Sequence, residues 1–134
     1  MSGLVPSAIV AAVADIVEGA GVSPVFERRM EALDGQEGAV VRTGAQTTAT
    51  LYIDGQADVR VPVRVLCKRR SATQAMTDAE KAWDAMSGMS LDVSGIPVSI
   101  EPQGAPYELS MDESGYSVWE ADATAAYTTP KEQA

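Results

Sequence analysis

Residues 57–68, "ADVRVPVRVLCK", alternate strictly between two kinds of position. Val59, Val61, Val63, Val65 and Cys67 form one set; Arg60, Pro62, Arg64, Leu66 and Lys68 form the other. Successive side chains of a strand point to opposite faces, so this predicts a strand with a core face and a polar, cationic face. Pro62 has no backbone N–H, which suits an edge strand or a bulge better than a central position. "DGQ" at 54–56 is a hairpin-turn signal, and it joins this strand to "TTATLYID" before it. "AVVRTGAQ", also rich in β-branched residues, predicts one more strand upstream.

The apolar period changes to that of a helix in two places. From about Pro6 to Glu18, Val5, Ile9, Ala12, Val13 and Ile16 share a face, opposite Ser7, Ala11, Asp15 and Glu18. Proline suits the first turn there, and Gly19 and Gly21 supply the stop. The second helix begins at "SATQ", a capping box with Ser71 as N-cap and Gln74 three residues on. It runs to about Met86, with Ala72, Ala75, Met76, Ala79, Trp83 and Met86 on one stripe that reads as core. Between the first helix and the strands, "SPVFERRMEALDGQEG" predicts a short extended piece and then a loop.

The last third returns to strand patterning. "IPVSIEPQ" predicts a short strand bracketed by Pro97 and Pro102. "PYELSM" and "YSVWEADATAAYT" are strands joined by "DESG", whose Gly115 fits the left-handed position that closes a type I turn. In the second of these Trp119, Ala121, Ala123, Ala125 and Tyr127 share a face, and "TPKEQA" at 129–134 reads as a frayed tail. Helix, strands, helix, strands, without a repeating βα unit, predicts an α+β fold over 1–134. Its expected form is one domain, with two helices packed on one face of an antiparallel or mixed sheet.

Composition narrows what such a domain can do. The 134 residues are 46% hydrophobic, enough for a core without staples. There is no histidine and only Cys67, which removes imidazole triads and internal disulfides and favours a reducing compartment. The apolar N-terminus carries Asp15 and Glu18 and no early lysine or arginine, so it reads as a soluble amphipathic helix, not a signal or a membrane span. Charge is divided unevenly. Residues 1–70 hold eight acidic and eight basic side chains, and 71–134 hold eleven and two, so the whole −9 falls in the second half. That opposes nucleic-acid binding by the second half and favours electrostatic complementarity between copies, or simple solubility.

The search for chemistry returns little. Asp78, Glu80 and Asp84 cluster on the second helix with Lys81 among them, the pattern of a solvated face. Asp112 and Glu113 fall in a hairpin turn, where aspartate serves turn geometry. No EF-hand run, Walker sequence or dinucleotide fingerprint is present, and Cys67 alternates with core valines as an inert thiol would. No catalytic residue, metal or cofactor is predicted. Arg60, Arg64, Lys68, Arg69 and Arg70 concentrate five of the ten basic residues, yet no aromatic lies between 53 and 82 for base stacking, and the whole chain is acidic. A strand face that meets carboxylates, across a sheet or a subunit boundary, is the better reading.

The order of parts resembles the small tail terminator proteins of long-tailed bacteriophages, also termed minor capsid or tail completion proteins. The resemblance rests on the strand "DVRVPVRVLCKRRS", the helix "ATQAMTDAEKAWDAM" directly after it, and the close "APYELSMDESGYSVWEADATAAY". It spans nearly the whole chain and lies in layout more than in invariant residues. It implies a non-catalytic ring, usually of six copies, that caps the tail tube, stops its polymerisation and meets the head connector proteins in the virion. It also implies that DNA passes through the ring without specific binding, with no membrane involved. On this reading Arg60, Arg64, Lys68, Arg69 and Arg70 are candidates for the basic side of a ring contact, and Asp112, Glu113, Glu120 and Asp122 for the acidic side. Another phage neck protein, or a non-viral module that recognises an acidic ligand through the basic strand, are the competing readings.

Overall fold

A computed structural model describes residues 4–22, 25–27, 37–111 and 115–129. The elements are α1 (Pro6–Gly19), β1 (Val25–Glu27), β2 (Gly38–Thr43), β3 (Thr47–Leu51), β4 (Ala57–Arg69), α2 (Ala72–Met86), β5 (Met89–Val93), β6 (Ile96–Met111) and β7 (Ser117–Thr128). The strands form one sheet in the order β1-β2-β4-β7-β6-β5, with β3 beside β4. Every pairing is antiparallel except β1 with β2, so the sheet is mixed and the fold is α+β.

The alternation in β4 builds the core. Val59, Val61, Val63, Val65 and Cys67 are all buried, and across the strand pair they meet Tyr127, Ala125, Ala123, Ala121 and Trp119 of β7. Each valine taken from water contributes about 1.5–3 kcal/mol. Alanines on β7 leave room above the sheet, and α2 occupies it, packing on β4, β6 and β7. α1 packs on α2 and against β1, β2 and β5, so both helices cover one face.

β4 is central rather than an edge, and the local geometry shows how Pro62 is accommodated there. Its carbonyl accepts from Gly44 N–H at 2.9 Å, so its nitrogen faces the same side, where β2 has ended and β3 has not begun. The missing donor therefore falls at a break between two strands. A Cβ on Gly44 would lie 3.3 Å from the Pro62 Cβ, so glycine fits this close approach.

Several elements differ from the sequence expectation. On α1 the buried residues are Ile9, Val10, Val13, Ala14 and Val17, because the helix packs on α2 at its side and on β1, β2 and β5; Val5 is the N-cap and is exposed. On α2 the buried set is Ala75, Asp78, Ala79, Ala82 and Met86, with Ala72 exposed and Trp83 half-buried. Ser71 does cap this helix, its hydroxyl accepting from Gln74 N–H at 3.3 Å. "IPVSIEPQ" and "PYELSM" are not two strands but one, β6, broken in register between Gln103 and Tyr107. The "GAP" at 104–106 with Gly104 at φ 62 makes a bulge instead of a turn. β5 went unforeseen; its hairpin signal is "SG", with Ser94 and Gly95 both at positive φ. Thr129 does not fray: it is 1% exposed and exchanges backbone and side-chain bonds with Ala57, and 130–134 lie outside the described residues.

Candidate functional site on the outer sheet face

The face of the sheet away from the helices carries the even positions of β4 and β7. Register places Arg64 opposite Asp122, Leu66 opposite Glu120 and Lys68 opposite Val118. Arg60 and Arg64 are exposed, as the alternation predicts, but Leu66 and Lys68 are buried on this side too. The Lys68 ammonium sits 4.9 Å and the Arg70 guanidinium 5.0 Å from the centre of the Tyr116 ring, which is itself buried.

The five basic side chains therefore divide into three settings. Arg60 and Arg64 stand free of the core on the outer face, and Lys68 and Arg70 enclose Tyr116. Arg69 has the parity of the core valines and turns towards α2, where its Nε donates to Asp78 Oδ2 at 2.6 Å. That contact overturns the solvated-face reading of Asp78, which is 7% exposed; Glu80 and Asp84, on other sides of the helix, are exposed. Sequence spacing alone could have raised the pairing, since Arg69 follows Cys67 by two positions and α2 must turn back over the strand end.

Glu120 and Asp122, proposed for contact with another subunit, have partners within the chain. The Tyr107 hydroxyl of β6 donates to Glu120 Oε2 and lies 3.2 Å from Asp122 Oδ2. Burial first, and then the neighbouring Glu120 charge, hold the Asp122 carboxyl above the usual aspartate range, with Tyr107 and Arg64 opposing the shift. Its Oδ1 is buried without a hydrogen-bond partner. The hydrogen bond to Glu120 raises the Tyr107 phenol above its ordinary value. Asp112 and Glu113 lie outside the described residues.

Arg60 separates two shallow cavities, one of ≈ 200 Å³ reaching Asp58 and Ser99, the other of ≈ 290 Å³ reaching Thr47, Glu101 and Gln103. Among the described residues, no group of three or more cysteine, aspartate or glutamate side chains is placed to hold a metal. Burial pushes the Cys67 thiol up to about 12, so it is a poor nucleophile. No helix among the described residues is long and apolar enough to cross a membrane.

A second surface escaped the sequence reading. All of β3 is exposed, and at the hairpin between β3 and β4 Leu51 is 72%, Tyr52 45% and Ile53 109% exposed. Turns favour polar residues, so three large apolar side chains in a row here are the signal that was available. The turn is well built. Tyr52 N–H donates to the Gln56 carbonyl at 2.7 Å, Asp54 Oδ1 accepts from Gln56 N–H at 3.0 Å, and Gly55 takes φ 89. The Tyr52 and Thr128 hydroxyls both donate to Asp58, at 2.8 and 2.6 Å, and they hold its carboxyl below the usual range. The bonds between Thr129 and Ala57 close the base, so a braced hairpin presents bare apolar side chains. Such a surface suits recognition of another macromolecule better than group transfer.

Compared with known proteins, the chain matches no family model and no curated protein.

Proposed function

We propose that the chain is a structural virion protein of the tail terminator kind, from a long-tailed bacteriophage. Its copies form a ring, of six if the resemblance in layout holds, located in the tail at the head–tail junction. One ring face docks on the last layer of the tail tube, and the other differs from a tube subunit, so addition stops and the head connector proteins can bind. No catalytic step is involved. DNA passes through the opening without specific contacts, and the surplus of carboxylates in residues 71–134 favours sliding over binding.

The observation that carries this reading is the braced β3–β4 hairpin with Leu51, Tyr52 and Ile53 exposed to solvent. A monomer gains nothing from that arrangement, whereas a subunit that meets copies or tube proteins buries it. A second reading, a binding module for acidic ligands, draws on the two cavities either side of Arg60. Electron microscopy of the purified protein, alone and mixed with tail tubes, separates the readings. Rings bound at tube ends support a terminator, and binding only at portal or capsid vertices supports another neck protein. A strict monomer at high concentration counts against any ring and favours the binding module.

A further inference from the structure

Among the described residues, β3 pairs with β4 alone and β5 with β6 alone, so each presents one edge of backbone N–H and C=O groups without a strand beside it. Natural sheets guard such edges with charge, proline or brevity. β1, the other outer strand, has three residues and ends in Glu27. β3 has no such guard. Residues 43–53 contain no charged side chain and no proline, and all of β3 is exposed. β5 holds neither lysine nor proline, and its Asp92 carboxylate accepts from Gly95 N–H at 2.8 Å within its own turn.

Register relates the two edges. Thr47 pairs with Arg60, Arg60 with Ala126, Ala126 with Ser99, and Ser99 with Ser90, so one row crosses the sheet from β3 to β5. Four antiparallel steps separate the strands, so they run in the same direction. Three rows further on, allowing for the extra residue that the bulge adds to β3, come Leu51 and Val93. Leu51 pairs with Ala57 on the helix side of the sheet, yet it is 72% exposed, whereas Val93 belongs to the core.

We infer that β3 of one copy pairs in parallel with β5 of the next, extending the sheet from subunit to subunit and packing Leu51 beside Val93. A ring about an axis along the strands keeps every copy at one height, so the row that leaves one subunit at Ser90 meets the next at Thr47. Thr47 and Ser90 then face each other as a cross-strand hydroxyl pair. Two unlike edges make the contact head-to-tail, as a ring needs. Pairing of β3 with β3 about a two-fold axis would instead close after two subunits and leave Leu51 among threonines. The inference rests on the ring reading and names the contact within it.

The test uses the full chain with Thr47→Cys and Ser90→Cys, singly and together; both sites are exposed, and Cys67 is buried. Treated with a short bismaleimide, the double variant should give a ladder of linked species on a denaturing gel. Each single variant should stay unlinked, and the two assembled together should give linked dimers only. A backbone change supplies a second readout. The Pro62 carbonyl meets Gly44 N–H, so even positions of β4 face β3; Arg60 therefore bonds Thr47, and the Thr48 N–H points to the open edge. Thr48→Pro should weaken association about tenfold while circular dichroism shows the fold kept. Three results overturn the strand pairing: rings of the double variant that yield no linked species, linked dimers from Thr47→Cys alone, or folded Thr48→Pro that assembles as well as wild type. The functional reading is judged separately, by whether wild-type rings are seen. A wild type that stays monomeric removes both.

Discussion

Breaking the contact between Arg69 and Asp78 should destabilise the domain more than any surface charge change. The side chains are 17% and 11% exposed and meet at 2.6 Å, so neither charge has much water to fall back on. Removing one member of a buried pair typically costs about 3–5 kcal/mol, because the other charge stays desolvated. Arg69 has a further interaction and keeps some exposure, so the lower end applies to Asp78→Leu, about 3 kcal/mol. With an unfolding entropy of about 2.1 cal/mol/K per residue, a chain of this length should lose roughly 10 °C in Tm. Arg69→Met should cost a similar amount. The double variant Arg69→Met with Asp78→Leu should recover most of the loss, because two well-packed apolar side chains leave no charge buried. Thermal unfolding of the four proteins by circular dichroism completes the cycle, and the coupling between the two sites should exceed about 1 kcal/mol. Two additive losses, or an Asp78→Leu protein as stable as wild type, would refute the claim that this pair is desolvated and locks α2 onto the end of β4.

Other expectations follow from the outer face and the core. Asp122 has a folded pKa raised above its unfolded value, so its contribution favours the fold at acid pH and is lost as pH rises through the folded value. Asp122→Asn should therefore be more stable than wild type at neutral pH, with the gap closing below the usual aspartate range; a pH-independent difference in chemical denaturation would contradict the shift. Cys67, buried with its thiol pushed up to about 12, should resist an aromatic disulfide reagent in the native protein and react at once in denaturant. Reversing both Arg60 and Arg64 to glutamate should prevent assembly while the fold persists, read by sedimentation with circular dichroism. Intact rings from that variant would remove the basic face from the contact.

Much of the architecture was legible because local signals and global fold agree. The alternation of β4, the capping serine of α2, the "DGQ" turn and the apolar face of β7 each had a one-dimensional signature, and each is in place. β6 was not legible as one strand, because the prolines at 97, 102 and 106 look like ends when read alone. Only pairing with β7 across a bulge carries the chain through them. The candidate site divides in the same way. Exposure of Arg60 and Arg64 follows from parity, but enclosure of Tyr116 by Lys68 and Arg70 depends on what lies beside the strand end.

By itself the sequence determined which side chains share a face, since strand and helix periods are set by backbone geometry within a few residues. It also determined that charge is balanced in the first half of the chain and strongly negative in the second. Tertiary structure alone decided the neighbours. It set Asp122 beside Arg64 and Asp78 against Arg69, placed Pro62 opposite the break between β2 and β3, and left the Leu51–Ile53 tip uncovered. Those are contacts between residues distant along the chain or across strands, and their energy depends on burial and register, which no local window contains.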